Sequence, residues 1–118
     1  MTLNHLNLTV ENALESGEFL VKYFGLQPME GVRMTERAAF LRDDAGMVLS
    51  LIKRYGDRPV VYPESFHIGF IQNSEADVNA LNAKLKSDGL DVPPPSRQHG
   101  SWTFYFTAPG GFQIEVLA

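Results

Sequence analysis

His5, His67 and Glu115 are the residues of this chain whose types and places could do chemistry together. Two neutral imidazoles and one carboxylate form a sufficient ligand set for a divalent metal that keeps open coordination positions. Such a metal can polarise a bound oxygen or activate a water. The set suits Fe(II), Mn(II), Zn(II) or Ni(II) and does not by itself choose among them. Taken singly, a histidine at a strand start is most often a hydrogen-bonded, half-buried residue, and a glutamate near a C-terminus is ordinary surface. What joins the three is an internal repeat. His5-Leu6-Asn7-Leu8 is followed by a helix-like stretch, Gly25-Leu26 and two strand-like segments, and the same order returns from His67-Ile68-Gly69-Phe70 through Gly89-Leu90. Laying Gly46 on Gly111 sets Met47-Val48-Leu49-Ser50-Leu51-Ile52 over Phe112-Gln113-Ile114-Glu115-Val116-Leu117. His5 then matches His67, and Ser50 matches Glu115, so Ser50 is the odd member of four equivalent positions.

The elements that must position these residues follow from periodicity. Leu6, Leu8 and Val10 alternate with His5, Asn7 and Thr9, as a half-buried strand requires. Trp102, Phe104 and Phe106 likewise alternate with Thr103, Tyr105 and Thr107, and Ile114 and Val116 with Gln113 and Glu115. In each strand the large apolar side chains take one face, leaving His5, His67, Tyr105 and Glu115 on the other. Asn7, Phe40, Ser50, Tyr105 and Gln113 are the candidate substrate contacts there, with Phe40, the repeat partner of Tyr105, as an apolar wall.

Helices are expected from about Leu14 to Phe24 and from an N-cap at Ser74 to a stop at Gly89. Strands are expected near 3–10, 34–41, 47–53, 66–72, 101–107 and 111–117, with room for short extra strands around Val32–Thr35 and Val92–Arg97. Asp44 and Gly46 suggest a hairpin turn. Pro93-Pro94-Pro95 must lie at an edge or in a loop. The expected fold class is α+β, one domain over 1–118, with module one at about 1–54, a linker at about 55–64 and module two at about 65–118. A module this small cannot bury its sheet alone, so two copies would share a cleft.

The chain has 118 residues, 44% of them hydrophobic and 20% charged, which is ordinary for one folded domain. A net charge of −4 without a basic run argues against a nucleic-acid partner. The absence of cysteine removes disulfides, thiolate metal sites and cysteine nucleophiles. No apolar run approaches a membrane span and the N-terminus lacks a signal-peptide pattern. The expectation is a soluble cytoplasmic protein with no membrane partner.

His5 with Leu6-Asn7-Leu8, Phe19, Tyr23-Phe24-Gly25-Leu26, His67-Ile68-Gly69-Phe70 and Pro109-Gly110-Gly111-Phe112-Gln113-Ile114-Glu115 together resemble the vicinal oxygen chelate superfamily. That group includes glyoxalase I, fosfomycin-resistance thiol transferases, extradiol ring-cleaving dioxygenases, methylmalonyl-CoA epimerase and bleomycin-binding proteins. The resemblance covers the whole chain. It implies paired βαβββ modules, His5, His67 and Glu115 as metal ligands, a small substrate that chelates through neighbouring oxygens, and a homodimer. In some members both chains ligate each metal.

Departures narrow the reaction. Glyoxalase I supplies a fourth ligand, normally glutamate, where this chain has Ser50. Fosfomycin-resistance transferases carry a threonine where Asn7 stands, and their basic loop is here Pro93-Pro94-Pro95-Ser96-Arg97-Gln98-His99, with Arg97 its clear cation. The extradiol dioxygenases fit the ligand set best. Tyr105 stands where that group has an active-site tyrosine, and is otherwise a half-buried strand residue. His99 is a candidate acid or base, or else an exposed loop histidine. The alternative to a metal-dependent enzyme is a metal-free small-molecule binder of the bleomycin-resistance type, or a glyoxalase or thiol-transferase relative; least favoured is a degenerate fold serving as an interaction partner.

Overall fold

Burial along strand β1 (His5–Val10) follows the expected alternation: Leu8 and Val10 are buried while His5, Asn7 and Thr9 are exposed. The computed structural model describes residues 1–118. In it, helix α1 (Ala13–Phe24) starts at Asn12, whose side chain accepts a hydrogen bond from the Glu15 N–H, satisfying one donor that the first turn leaves free. Its buried face is Ala13, Ser16, Gly17, Phe19 and Leu20, the stripe of an amphipathic helix. That face packs on β3 (Ala38–Arg42) and β4 (Val48–Lys53). Gly17 marks the closest approach, because a Cβ there would stand 3.0 Å from Met34 Sδ and 3.2 Å from Ala39 Cβ.

The first sheet runs β1-β4-β3-β2, with β2 only Gln27–Pro28. β1 is parallel to β4 and the other pairs are antiparallel. The second module repeats this with β5 (His67–Ile71), α2 (Glu75–Ser87), β6 (Ser96–Gln98), β7 (Ser101–Thr107) and β8 (Gln113–Leu117), in the order β5-β8-β7-β6. Helix α2 packs on β7 and β8. Ser74 caps it, its hydroxyl accepting from the Asp77 N–H. It ends in a Schellman motif: Leu90 N–H donates to Leu85 O and Gly89 N–H to Lys86 O, with Gly89 at φ 91°. The architecture is α+β, a tandem of βαβββ modules.

By contacts the chain divides into one unit of residues 1–62 with 109–111 and another of 63–108 with 112–118. Within the first unit, Ser16 Oγ donates to Pro109 O at 3.0 Å, tying the 109–111 segment to α1. No helix is long and apolar enough to cross a membrane.

Two local expectations need correction. The extra strands lie at Gln27–Pro28 and Ser96–Gln98, not at Val32–Thr35 or across all of Val92–Arg97. Thr35 Oγ1 accepts from the Arg37 and Ala38 N–H groups at 3.3 and 3.2 Å, turning the chain where a strand was expected to begin. Pro28 pairs at the sheet edge, where a missing N–H leaves no ladder bond unmade. The hairpin expected at Asp44 and Gly46 does join β3 to β4, with Gly46 at φ 88° and the Asp43 carboxylate accepting from Met47 N–H at 2.8 Å.

Candidate functional site

Sheet register supplies the relation between the modules that the repeat suggested. In the first sheet His5 pairs with Val48, Asn7 with Ser50, and Ser50 with Phe40. In the second, His67 pairs with Gln113, Gly69 with Glu115, and Glu115 with Tyr105. His5 and His67, Asn7 and Gly69, Ser50 and Glu115, and Phe40 and Tyr105 are therefore equivalent by hydrogen-bonding register. All lie on the sheet face opposite the buried Leu8, Leu49, Leu51, Phe104, Phe106, Ile114 and Val116.

The second unit gathers the most chemistry. His67 Nδ1 lies 3.0 Å from the Ser65 carbonyl. A carbonyl only accepts, so Nδ1 carries the proton and the lone pair of the neutral ring is on Nε2. That nitrogen lies 3.4 Å from Glu115 Oε2. Glu115 is mostly buried, with 14% of its side chain exposed against 42% for His67. Its other oxygen, Oε1, accepts from Tyr105 Oη at 2.6 Å and stands 3.1 Å from Thr103 Oγ1. This hydrogen bond, with smaller contributions from burial and the carboxylate charge, pushes the Tyr105 phenol up to about 12. The edge of the His67 ring meets Tyr105, centroids 5.4 Å apart at 84°. An open depression of about 360 Å³ lies over this cluster, lined by Glu64, Ser65, Phe66, His67, Tyr105 and Gln113.

A nitrogen lone pair facing a carboxylate oxygen needs a proton or a cation between them. Two donors each about 2.1 Å from one metal ion sit about 3.0–3.4 Å apart at bond angles between square and tetrahedral. The His67–Glu115 separation fits that window, so the pair suits a divalent metal. His5 is prepared similarly, with Nδ1 3.0 Å from Asn4 Oδ1 and Nε2 left unengaged. No group of three or more His, Asp or Glu side chains in the chain is gathered so as to hold a metal.

The remaining candidates divide. Ser50 is buried and donates to Asn7 Oδ1 at 2.8 Å, which leaves the Asn7 amide NH₂ to donate elsewhere. Gln113 donates through Nε2 to Thr107 Oγ1 at 2.8 Å. His99 is at φ 51°, followed by Gly100 at φ 88°, in the two-residue turn joining β6 to β7, the form that needs two positive φ angles. It is exposed there, and Ser101, the first residue of β7, is already four strand positions or roughly 13 Å from Tyr105. Two residues were missed in sequence. Thr103 is fully buried beneath this face and also lies 2.8 Å from Val116 O. Gly69 faces Glu115 across the ladder, and a Cβ there would lie 3.7 Å from Oε2. The alternation already placed Thr103 beside Tyr105, but a threonine in a strand carries no separate signal.

A model of the Glyoxalase/Bleomycin resistance protein/Dioxygenase superfamily matches residues 2–116. The chain belongs to that superfamily. Among solved members of the fold, a possible glyoxalase from Bacillus cereus is 47% identical, with a TM-score of 0.88 over 100% of this chain and 99% of that one. Lactoylglutathione lyase from Agrobacterium tumefaciens shares 17% identity at TM-score 0.75, covering 98% of this superfamily member and 92% of its own chain. Oxidase ChaP-H2 shares 20% identity at TM-score 0.77, with 100% and 93% covered. At those lower identities the likeness is one of fold. No curated protein matches the chain.

Proposed function

We propose that this chain is a metal-dependent enzyme of its superfamily, acting on a small substrate that chelates through neighbouring oxygens, with extradiol-type ring cleavage as the leading reaction. The observation that carries this reading is the facing pair of His67 Nε2 and Glu115 Oε2, 3.4 Å apart and fitted to a shared cation. His5, equivalent to His67 by register, supplies the third donor. Fe(II) or Mn(II) held by these residues, with Zn(II) or Ni(II) as the other candidates, would supply a Lewis acid with coordination positions open to substrate.

The protein's own groups do the rest. The Ser65 carbonyl fixes the His67 tautomer and ring plane. Tyr105 keeps its proton through the neutral range and presents a hydroxyl to the same depression that His67 lines. The Asn7 amide and Gln113 Oε1 are polar contacts for substrate, and Phe40 offers an apolar wall. Ser50 spends its hydroxyl on Asn7, so the fourth position has no carboxylate. That favours three-ligand chemistry over a glyoxalase. The 47% identical protein described as a possible glyoxalase supports a glyoxalase-type lyase as the second reading. His99 takes no part.

Metal analysis of protein purified without chelator or histidine tag tests this. One divalent ion per chain is expected, lost on His67→Ala or Glu115→Ala, together with oxygen uptake on a catechol panel. Substoichiometric metal indifferent to both substitutions would sink the metal-dependent reading. Metal without oxygen uptake, but with turnover of hemithioacetals, would move the assignment to the lyase.

A further inference from the structure

We propose that Tyr105 and Thr103 are positioning residues that commit Glu115 to bind metal through Oε2 alone; this rests on the metal-centre reading above. Both hydroxyls address the same oxygen, Tyr105 Oη at 2.6 Å and Thr103 Oγ1 at 3.1 Å from Oε1, and neither addresses Oε2. The short Tyr105 bond is charge-assisted and among the stronger kinds. An oxygen that already accepts it is a poorer second donor to a cation. Thr103 is fully buried, and its one hydroxyl proton is divided between Val116 O at 2.8 Å and Oε1 at 3.1 Å, so it supports Oε1 more weakly than Tyr105 does.

The other oxygen is left clear. Oε2 faces His67 Nε2 at 3.4 Å, and across the ladder it meets Gly69, where a side chain would begin 3.7 Å from it. A carboxylate binding through both oxygens would occupy two coordination positions. One held to Oε2 occupies one, leaving an additional position for a chelating substrate. The hydroxyls on Oε1 would thus limit how many coordination positions Glu115 fills on a bound metal.

Difference infrared spectroscopy of the full-length protein with and without Zn(II) reads this directly, because the carboxylate stretches are widely split in single-oxygen binding and narrowly split in two-oxygen binding. The Glu115 bands are those that vanish in Glu115→Gln. Wild type is expected to show the wide splitting, and Tyr105→Phe to narrow it and weaken Zn(II) binding about 10- to 100-fold in calorimetry. Thr103→Val should shift the bands the same way and Thr103→Ser restore them. If Thr103→Val does not fold, the half-buried Tyr105→Phe decides. A narrow splitting in wild type, or an unchanged spectrum in the variants, overturns the proposal while leaving metal binding intact. Absence of any Zn(II)-dependent band that Glu115→Gln removes would instead overturn the metal-centre reading itself.

Discussion

At the scale of single residues, the hydrogen bond from Tyr105 to Glu115 should be visible in titration. Its folded value of about 12 lies above the usual 10 because the neutral phenol is held by the carboxylate. A raised value means that the bond contributes stability fully below about pH 10, and that this is lost as pH rises through 12. Spectrophotometric titration of metal-free protein should show a late phenolate transition that Tyr105→Phe removes; a transition that stays in place would mean that the bond is not made in solution. Ser50 is a second point of contact between residue and chemistry. Ser50→Ala should cost about 0.5–1.5 kcal/mol in denaturant unfolding, the worth of one ordinary hydrogen bond, and leave metal content unchanged, since the serine is not a ligand in this reading.

At the scale of elements, caps and clasps place the site strands. Ser74 is the cap of α2, and Ser74→Ala should destabilise the protein by about 1 kcal/mol. A different device fixes the segment after β4. Glu11, at the end of β1, accepts from Arg54 Nε at 2.5 Å and from Val60 N–H at 3.0 Å, while Arg54 also donates to Gly56 O and Tyr62 Oη to Thr9 O. The Arg54 bond holds the Glu11 carboxyl below its usual value. A lowered value gives a contribution present above the unfolded pKa and lost as pH falls through the folded one. Limited proteolysis should therefore cut within 55–60 faster below about pH 4, and Glu11→Gln should reproduce that susceptibility at neutral pH. Equal cleavage in wild type and variant would show that the clasp does not restrain the linker.

At the scale of the whole molecule, the proposed metal centre can be tested for the chain that supplies His5. If the protein acts as a homodimer that shares ligands, mixing His5→Ala with His67→Ala chains should restore one intact site in each mixed pair. Recovery of metal binding after joint refolding of equal amounts, to about a quarter of the wild-type level because about half of the pairs are mixed and each carries one intact site of two, would establish sharing. No recovery, with both chains folded and paired by analytical ultracentrifugation, would assign all three ligands to one chain.

The strand phases, both helices, the repeat and the equivalence of His5, His67, Ser50 and Glu115 were legible in the sequence. Period and punctuation are local properties, and each face of a strand is written in every second residue. What only the tertiary structure decided depends on which strands become neighbours. Register brought Gly69 and Tyr105 to the two flanks of Glu115. It set Thr103 beneath that carboxylate and turned the two Glu115 oxygens to different partners. The extended run of β7, with the tight turn before it, keeps His99 away from Tyr105 although only five residues lie between them in the chain. Side chains meet across hydrogen-bonded ladders between strands far apart in sequence, and no local pattern records those distances.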